Sequence, residues 1–194
     1  SCEGCGVCSH VCPAGAVRLL PDVAGKKELY TGARVFSTAT LKMGRGNSGK
    51  LVTEVKRAML KAAPPCELAI VDGSPGIGCP VIASVNGMDL VLVVAEPSGS
   101  GISDLKRLCA TAATLQVQLA VCVNKYDVSP QHTERIETFC RQQGIAFVGK
   151  IPFDPMAVRA VNEGTTVVDI DCPAGRAVRE IFAKLTALLT ERSI

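Results

Sequence analysis

The chain has 194 residues, of which 47% are hydrophobic and 20% charged, and its formal net charge is +3. This composition suits one α/β domain with a small appendage and supplies enough apolar material for a buried core. Lysines and arginines are spread along the chain, which argues against a nucleic-acid partner. No apolar run reaches the roughly 18 to 20 residues that span a bilayer, so we predict no stable membrane insertion and a cytoplasmic location.

The chain opens on a cysteine run, SCEGCGVCSHVCPAG, whose four cysteines are Cys2, Cys5, Cys8 and Cys12. Their spacing is C-x2-C-x2-C-x3-C followed by proline, the pattern of bacterial ferredoxins that bind a 4Fe-4S cluster. Zinc is the alternative metal, although zinc sites more often pair two separated C-x2-C segments. The run therefore predicts iron–sulfur ligation.

The four cysteines are expected to serve two clusters. In two-cluster ferredoxins the fourth cysteine of a run binds the other cluster. We therefore expect Cys2, Cys5 and Cys8 to bind one cluster and Cys12 to bind a second. The sequence contains one such run, so the site in this chain is expected to be half of a two-cluster arrangement.

The next predicted elements are two short strands, at 15–20 and within 26–41, and a helix over 47–63 with apolar residues at helical spacing. Residues 67–78 predict a buried strand that ends in a glycine-rich turn. Beyond it, strands are predicted at 89–98, 118–127 and 145–152, and helices at 102–115, 129–144, 154–164 and 173–193.

This alternation of strands and helices predicts an α/β fold, a mostly parallel sheet with helices on both faces. In such sheets ligands bind at the carboxyl ends of the strands. Functional side chains are therefore expected in the strand-ending turns, at 72–78, 96–101, 124–127 and 150–154.

Two of these turns carry residues suited to a nucleotide. Asp72 ends an apolar strand, where an acid can hold Mg²⁺ through water, and Gly76 lets the backbone approach a γ-phosphate. Asn124 begins Asn-Lys-x-Asp at another strand end, where its amide can both donate to and accept from a base. The alternative is structural, an aspartate cap at 72 and a locally bonded turn at 124–127.

The stretch MGRGNSGKLV, residues 43–52, has the outline of a phosphate-binding P-loop, G-x-x-x-x-G-K. Its lysine is followed by Leu51, where a P-loop requires a Ser or Thr hydroxyl for magnesium. We interpret the stretch instead as a glycine-rich entry to the following helix, with Asn47 or Ser48 as its cap.

The segments DGSPGIGCPVIAS, VVAEPSGSGISDL, VNKYD and IPFDPMAVRAVNEG together resemble the MinD/Mrp-type family of deviant Walker P-loop ATPases, in members that carry an inserted ferredoxin-type domain. The resemblance covers nearly the whole chain and implies a P-loop NTPase-like fold that binds ATP and Mg²⁺. It implies that Asp72 is the magnesium-site acid and that Gly76 lies in the phosphate-sensing switch. It also implies that Asn124 contacts adenine and that Pro152 lies against the base.

The chain departs from this family in lacking its P-loop and the first cysteine run. We therefore expect a C-terminal part of a longer protein, with a partial ferredoxin-type segment at 1–30 and an ATPase-like domain at 31–194. Without the P-loop amides and lysine, the isolated chain is expected neither to bind ATP tightly nor to hydrolyse it.

The function that the resemblance implies is ATP-driven delivery of clusters or electrons, by a homodimer, to a protein acceptor. Two alternatives remain open, a non-enzymatic iron–sulfur electron carrier and a regulatory pseudo-ATPase. Cys79, after the glycine-rich turn, is a secondary candidate for redox chemistry or cluster transfer, and a packed thiol is the alternative.

Overall fold

The structure is a computed structural model that describes residues 4–44 and 48–190. The chain divides into two compact units, Ser1–Ser84 and Val85–Ile194. The predicted division into a ferredoxin-type segment at 1–30 and an ATPase-like domain at 31–194 stays a prediction.

The first unit contains a two-stranded antiparallel hairpin packed on a helix. Its elements are α1 (Val7–Val11), β1 (Gly25–Tyr30), β2 (Phe36–Leu41), α2 (Ser48–Ala62) and α3 (Cys79–Val85), the last of which ends one residue into the second unit. Tyr30 pairs with Phe36 across the hairpin, and their rings stack with centroids 6.0 Å apart. The Ser37 hydroxyl donates to the Val55 carbonyl at 2.9 Å and joins β2 to α2.

Two predicted strands of this unit are wrong. Residues 15–20 and 67–72 pair with no strand in the part of the chain that the structure describes. Leu68 and Ile70, expected in a buried strand, are 43% and 74% exposed. Both segments have strand-like composition, but a strand exists only where a neighbour accepts and donates its backbone hydrogen bonds, and composition cannot supply that neighbour.

The second unit is a three-stranded parallel sheet in the order β3-β4-β5. Its elements are β3 (Leu90–Ala95), α4 (Gly99–Thr114), β4 (Gln118–Asn124), α5 (Pro130–Gln143), β5 (Ala146–Ile151), α6 (Pro155–Asn162) and α7 (Pro173–Thr190), with single 3₁₀ turns at Tyr126–Val128 and Val167–Asp169. Each predicted strand and helix of this unit is present, with boundaries shifted by a few residues.

Alternate residues of the central strand build the two halves of the core. Val121 and Val123 of β4 face a cluster that includes Ile102, Leu105, Ile136 and Cys140 of α4 and α5. Ala120 and Cys122 face the opposite cluster, which contains Val148 of β5 and Ile181 of α7. Because side chains alternate across a strand, β4 is apolar on both faces and covered on both. The predicted α/β fold with helices on both faces of a parallel sheet is confirmed.

Candidate functional site

The carboxyl ends of β4 and β5 bring Asn124 and Pro152 to one edge of the sheet. Asn124 is the last residue of β4 and lies opposite Ile151, the last residue of β5. Pro152 follows directly, and both Asn124 and Pro152 are partly buried. An amide that can donate and accept hydrogen bonds and the apolar ring of a proline are therefore carried by neighbouring strand ends, a combination that suits the edge and face of a purine.

The turn that follows Asn124 is held in an uncommon backbone conformation. Lys125 has φ 53°, in the left-handed region that non-glycine residues rarely adopt. Its Nζ lies 3.1 Å from Oε1 of Glu96, just beyond β3. From α5, the Thr133 hydroxyl donates to the Tyr126 carbonyl at 2.9 Å. Such conformations persist where surrounding contacts over-determine them, so this turn is pre-organised by the elements around it.

Asp127 connects this turn to the loop after β5. Its Oδ1 accepts a hydrogen bond from the backbone N–H of Phe153 at 2.8 Å. The two residues are 26 positions apart in the chain, and the bond joins the segment that carries Asn124 to the segment that carries Pro152. Asp127 belongs to Asn-Lys-x-Asp, but sequence reasoning assigned it no partner, because nothing local indicates Phe153.

Asp154 caps two helices at once. Its Oδ1 accepts the Met156 N–H of α6 at 2.9 Å, and its Oδ2 accepts the Ala174 N–H of α7 at 3.1 Å. These backbone hydrogen bonds, that from Ala174 above all, hold the pKa of Asp154 below its usual value because they favour the carboxylate. The loop 152–154 is therefore fastened immediately after Pro152, at both Phe153 and Asp154.

Asp72 and Gly76, the predicted magnesium and switch residues, lie in the first unit. Asp72 is exposed at the end of the unpaired 67–72 segment. Gly76 has φ +90°, and a Cβ at this position would meet nothing within 4 Å. The loop then enters α3, where the Gly78 carbonyl accepts from the backbone N–H groups of Val81 and Ile82. The exposed carboxylate and an open glycine turn are thus neighbours along one loop.

The P-loop-like stretch at 43–52 leads into α2, which begins at Ser48. Gly49 packs against α3, since a Cβ there would stand 3.0 Å from Cβ of Cys79 and 3.1 Å from its carbonyl oxygen. The glycine therefore has a packing role that explains its presence without a phosphate. Asn47, the alternative cap to Ser48, lies outside the described residues.

The cysteine run is partly described. Cys2 lies outside the described residues, Cys5 and Cys8 are exposed, and Cys12 is partly exposed. Backbone N–H groups of Ala16 and Ala14, with smaller contributions from Val17 and Gly15, lower the pKa of the Cys12 thiol. Amide hydrogens directed at a sulfur stabilise its thiolate, the form that binds metal, so the surroundings of Cys12 suit an iron–sulfur ligand.

One polar atom near these cysteines also fits a cluster. The Ser9 hydroxyl oxygen, next to Cys8 in α1, is shielded from solvent and makes no hydrogen bond within the described part of the chain. A hydroxyl in this situation could donate to a sulfide or thiolate. Within residues 4–44 and 48–190, no three His, Cys, Asp or Glu side chains are gathered as for a metal ion. With Cys2 outside those ranges, ligation of a cluster by Cys2, Cys5 and Cys8 stays a prediction.

Cys79 is exposed at the first residue of α3, a seven-residue helix. Its contact with Gly49 gives it a packing role at the junction of α2 and α3.

In the described ranges no helix is both long enough and apolar enough to cross a membrane.

Comparisons with known proteins agree with this fold. No protein-family model matches the chain. An uncharacterised ATP-binding protein of Methanocaldococcus jannaschii is 33% identical over 126 residues, 61% of this chain and 46% of that protein. An iron-sulfur cluster carrier protein of Pyrococcus furiosus is 29% identical over 158 residues, 74% of this chain and 54% of that protein.

Among solved structures, the MinD cell division protein of Aquifex aeolicus superposes with a TM-score of 0.55 and 24% identity, over 72% of this chain and 59% of that one. The chain spans about half the length of the curated relatives that it matches. The chain is similar in sequence to an ATP-binding protein and to an iron-sulfur cluster carrier protein, and similar in fold to MinD. These findings support the resemblance to MinD/Mrp-type P-loop ATPases that the motifs at the strand ends indicate.

Proposed function

We propose that this chain carries the base-binding edge and the magnesium and switch loop of an ATP-dependent protein that works with iron–sulfur clusters. The observation that carries the proposal is the placement of Asn124 opposite Ile151, which brings Asn124 and Pro152 to one sheet edge. The relatives named for ATP binding and for cluster carriage support both halves of the proposal.

Each protein residue assigned to the nucleotide site has a chemical role under this proposal. The Asn124 amide contacts the hydrogen-bonding edge of adenine, and Pro152 packs on its face. Asp72 would hold Mg²⁺, whose charge neutralises the phosphates when it is bound. At Gly76 a backbone with φ +90° and no side chain can approach a phosphate and change conformation when that phosphate leaves.

The cluster part of the proposal rests on the cysteine run. Cys2, Cys5 and Cys8 would bind a 4Fe-4S cluster, and Cys12, with its lowered thiol pKa, would bind a second. ATP-dependent conformational change in a homodimer would then control delivery of clusters or electrons to a protein acceptor. The segment 1–30 would be the ferredoxin-type part and 31–194 the ATPase part.

The nucleotide site is tested on the ¹⁵N-labelled chain by NMR titration with Mg-ATP and with Mg-GTP. Because phosphate contacts from a P-loop are absent from this sequence, weak binding is expected, with shifts of the amides in 124–127 and of Phe153 and Asp154 on addition of ATP. Asn124→Ala should remove these shifts, and Asn162→Ala, at the exposed end of α6, should keep them. Equal responses to ATP and GTP, or responses confined to other residues, would count against the adenine site.

The cluster site is tested by anaerobic reconstitution with iron and sulfide, followed by iron counting and EPR spectroscopy. Cys5→Ser and Cys12→Ser should lower the iron content, whereas Cys66→Ser, an exposed cysteine outside the run, should not. Stoichiometric zinc in the purified protein, with no iron uptake, would support the zinc alternative. Cluster binding without any adenine response would favour a non-enzymatic electron carrier.

A further inference from the structure

The aspartate of Asn-Lys-x-Asp is directed at protein backbone. A carboxylate at a strand end, two residues beyond Lys125, could bind an exocyclic amino group of a base because it accepts hydrogen bonds. In this chain Oδ1 of Asp127 instead accepts the Phe153 N–H at 2.8 Å. The two ends of the motif therefore have different roles. Asn124 is the residue proposed to contact the base, and Asp127 connects two loops.

Asp127 is itself anchored from several directions. The turn that carries it is held by the Lys125–Glu96 ion pair and by the Thr133 hydroxyl on the Tyr126 carbonyl. Lys150 Nζ also lies 5.7 Å from the centre of the Tyr126 ring, a cation–π contact from β5. A carboxylate on a fixed turn restrains its partner, so the Asp127–Phe153 bond is one of the restraints on the position of the loop after β5.

That loop has a second attachment one residue later. Asp154 binds the first turns of α6 and α7 through its two carboxylate oxygens. Phe153 is 53% exposed, so its side chain contributes little packing to hold the loop, and its backbone N–H is held by Asp127. Pro152 thus lies between Ile151, paired in the sheet, and Phe153, held by Asp127.

We propose that Asp127 is a positioning residue for nucleotide binding. By fixing the Phe153 amide, Asp127 holds the Pro152 ring in a position where the face of a base can pack against it. The hydrogen-bonding edge of the same base can then meet Asn124. Asp127 itself does not contact the base. This inference rests on the proposed adenine site and assigns the carboxylate of the motif a role in pre-organising that site.

The test compares Asp127→Ala with Asp127→Asn, because asparagine retains an oxygen that can accept the Phe153 N–H. Asp104→Ala is the matched control, since Asp104 is an exposed aspartate whose partner is the Arg107 side chain. Two quantities are measured by NMR on the labelled chain: hydrogen exchange of the Phe153 amide and the apparent Kd for Mg-ATP.

Asp127→Ala should speed exchange of the Phe153 amide and raise the apparent Kd roughly five- to tenfold, the loss expected for one solvent-exposed hydrogen bond of ordinary net strength. Asp127→Asn should retain most of the protection of the Phe153 amide and most of the affinity for Mg-ATP. Asp104→Ala should change neither the exchange rate nor the apparent Kd. If Asp127→Ala does not fold, Asp127→Ser, whose side chain is one atom shorter in reach, provides the same comparison.

Failure of this inference and failure of the proposed function give different results. If the unmodified chain responds to ATP and Asp127→Ala responds with the same Kd, the positioning role is wrong and the adenine site stands. If Asp127→Asn binds Mg-ATP as weakly as Asp127→Ala, the negative charge of Asp127, and not its bond to Phe153, supports nucleotide binding, and the positioning role is wrong. A wild-type chain without any adenine response contradicts the proposed site and, with it, this inference.

Discussion

Gly49 in the first turn of α2 lies directly against Cys79 at the first residue of α3. A Cβ at position 49 would stand 3.0 Å from Cβ of Cys79 and 3.1 Å from both the carbonyl carbon and oxygen of that residue. Two of these three atoms belong to the backbone of a helix and cannot rotate away. The glycine that gives 43–52 its P-loop outline is thus required by the contact between two helices.

Gly49→Ala is therefore expected to destabilise the protein, although alanine is the better helix former. A Gly→Ala change within a helix usually stabilises by up to about 1 kcal/mol. Here the added methyl group should separate α2 from α3 and lower the free energy of unfolding by about 1–3 kcal/mol, as overpacking does elsewhere. Urea denaturation monitored by circular dichroism measures the difference.

Gly99→Ala is the matched control for this change. Gly99 is also in the first turn of a helix, α4, but a Cβ there meets nothing within 4 Å. This variant should be neutral or slightly more stable than the wild type. An equal effect of the two substitutions would remove the contact with Cys79 as the reason for glycine at 49.

Lys56→Met tests a buried lysine that joins α2 to the end of α3. The Lys56 residue is 9% exposed, and its Nζ donates to the carbonyls of Ala83 and Ser84, each at 3.0 Å. Methionine keeps the apolar stem but removes the hydrogen-bond donors from two carbonyls at the end of α3. The free energy of unfolding should therefore fall by about 1–3 kcal/mol. Lys61→Met, in the exposed last turn of the same helix, should change stability little.

The effect of Lys56 should also depend on pH. Burial lowers the pKa of Lys56 below its usual value because the charged amine is desolvated. The folded state therefore releases this proton at lower pH than the unfolded state, and the stability of the wild type relative to Lys56→Met should rise with pH between the lowered pKa and that of a free lysine. A difference that falls as the pH rises over this range would contradict the assignment.

Asp154→Asn tests the carboxylate that caps α6 and α7. Asparagine offers one acceptor oxygen and turns an N–H₂ group toward the second helix, so one of the bonds to Met156 and Ala174 is lost and the thermal midpoint should fall. Backbone hydrogen bonds lower the pKa of Asp154 in the folded state. Its stabilisation is therefore present above the pKa of a free aspartate and is lost as the pH falls through the folded value.

The pH dependence of this variant provides the decisive measurement. The difference in thermal midpoint between wild type and Asp154→Asn should be greatest near neutral pH and should shrink on acidification, as Asp154 takes up a proton. Asp171→Asn is the control, because Asp171 is exposed and pairs with the exposed Arg176 side chain. A difference independent of pH would rule out the carboxylate charge as the source of stability.

The buried thiols of the second unit, in β4 and α5, should resist modification. Burial raises the pKa of Cys122 to about 11, and burial together with the neighbouring Cys109 raises the pKa of Cys140 to about 11. Alkylation with iodoacetamide near pH 8, followed by mass spectrometry, should label exposed Cys66 quickly and Cys122 and Cys140 only on unfolding, because the thiolate is the reactive form. Labelling of Cys122 at the rate of Cys66 would contradict the core described for β4.

Much of the second unit could be predicted from the sequence because its signals are local. Helix α5, predicted at 129–144, begins after Ser129 with Pro130 in its first turn and ends before Gly144, whose φ of 64° provides a left-handed C-cap typical of glycine. Strand β4 is a short apolar run bounded by polar residues, which predicts a strand at 118–127, and the structure has it at Gln118–Asn124. Secondary-structure propensity, helix capping and hydrophobic periodicity act over a few neighbouring residues, so they can be recognised without knowledge of the tertiary contacts.

The remaining features depend on residues far apart in the chain, and only the tertiary structure decided them. Segment 67–72 has the composition of a strand but no paired neighbour among the described residues. The Phe153 N–H reaches Asp127 only because β4 and β5 lie side by side in the sheet. At Gly149 a Cβ would stand 2.7 Å from the Ile181 side chain, an approach of α7 to β5 that no local pattern indicates. Sequence alone determined which residues favour strands, helices and caps, because those preferences are properties of neighbouring residues. Packing determined which backbone groups and side chains meet, because each such contact requires both partners to be in place.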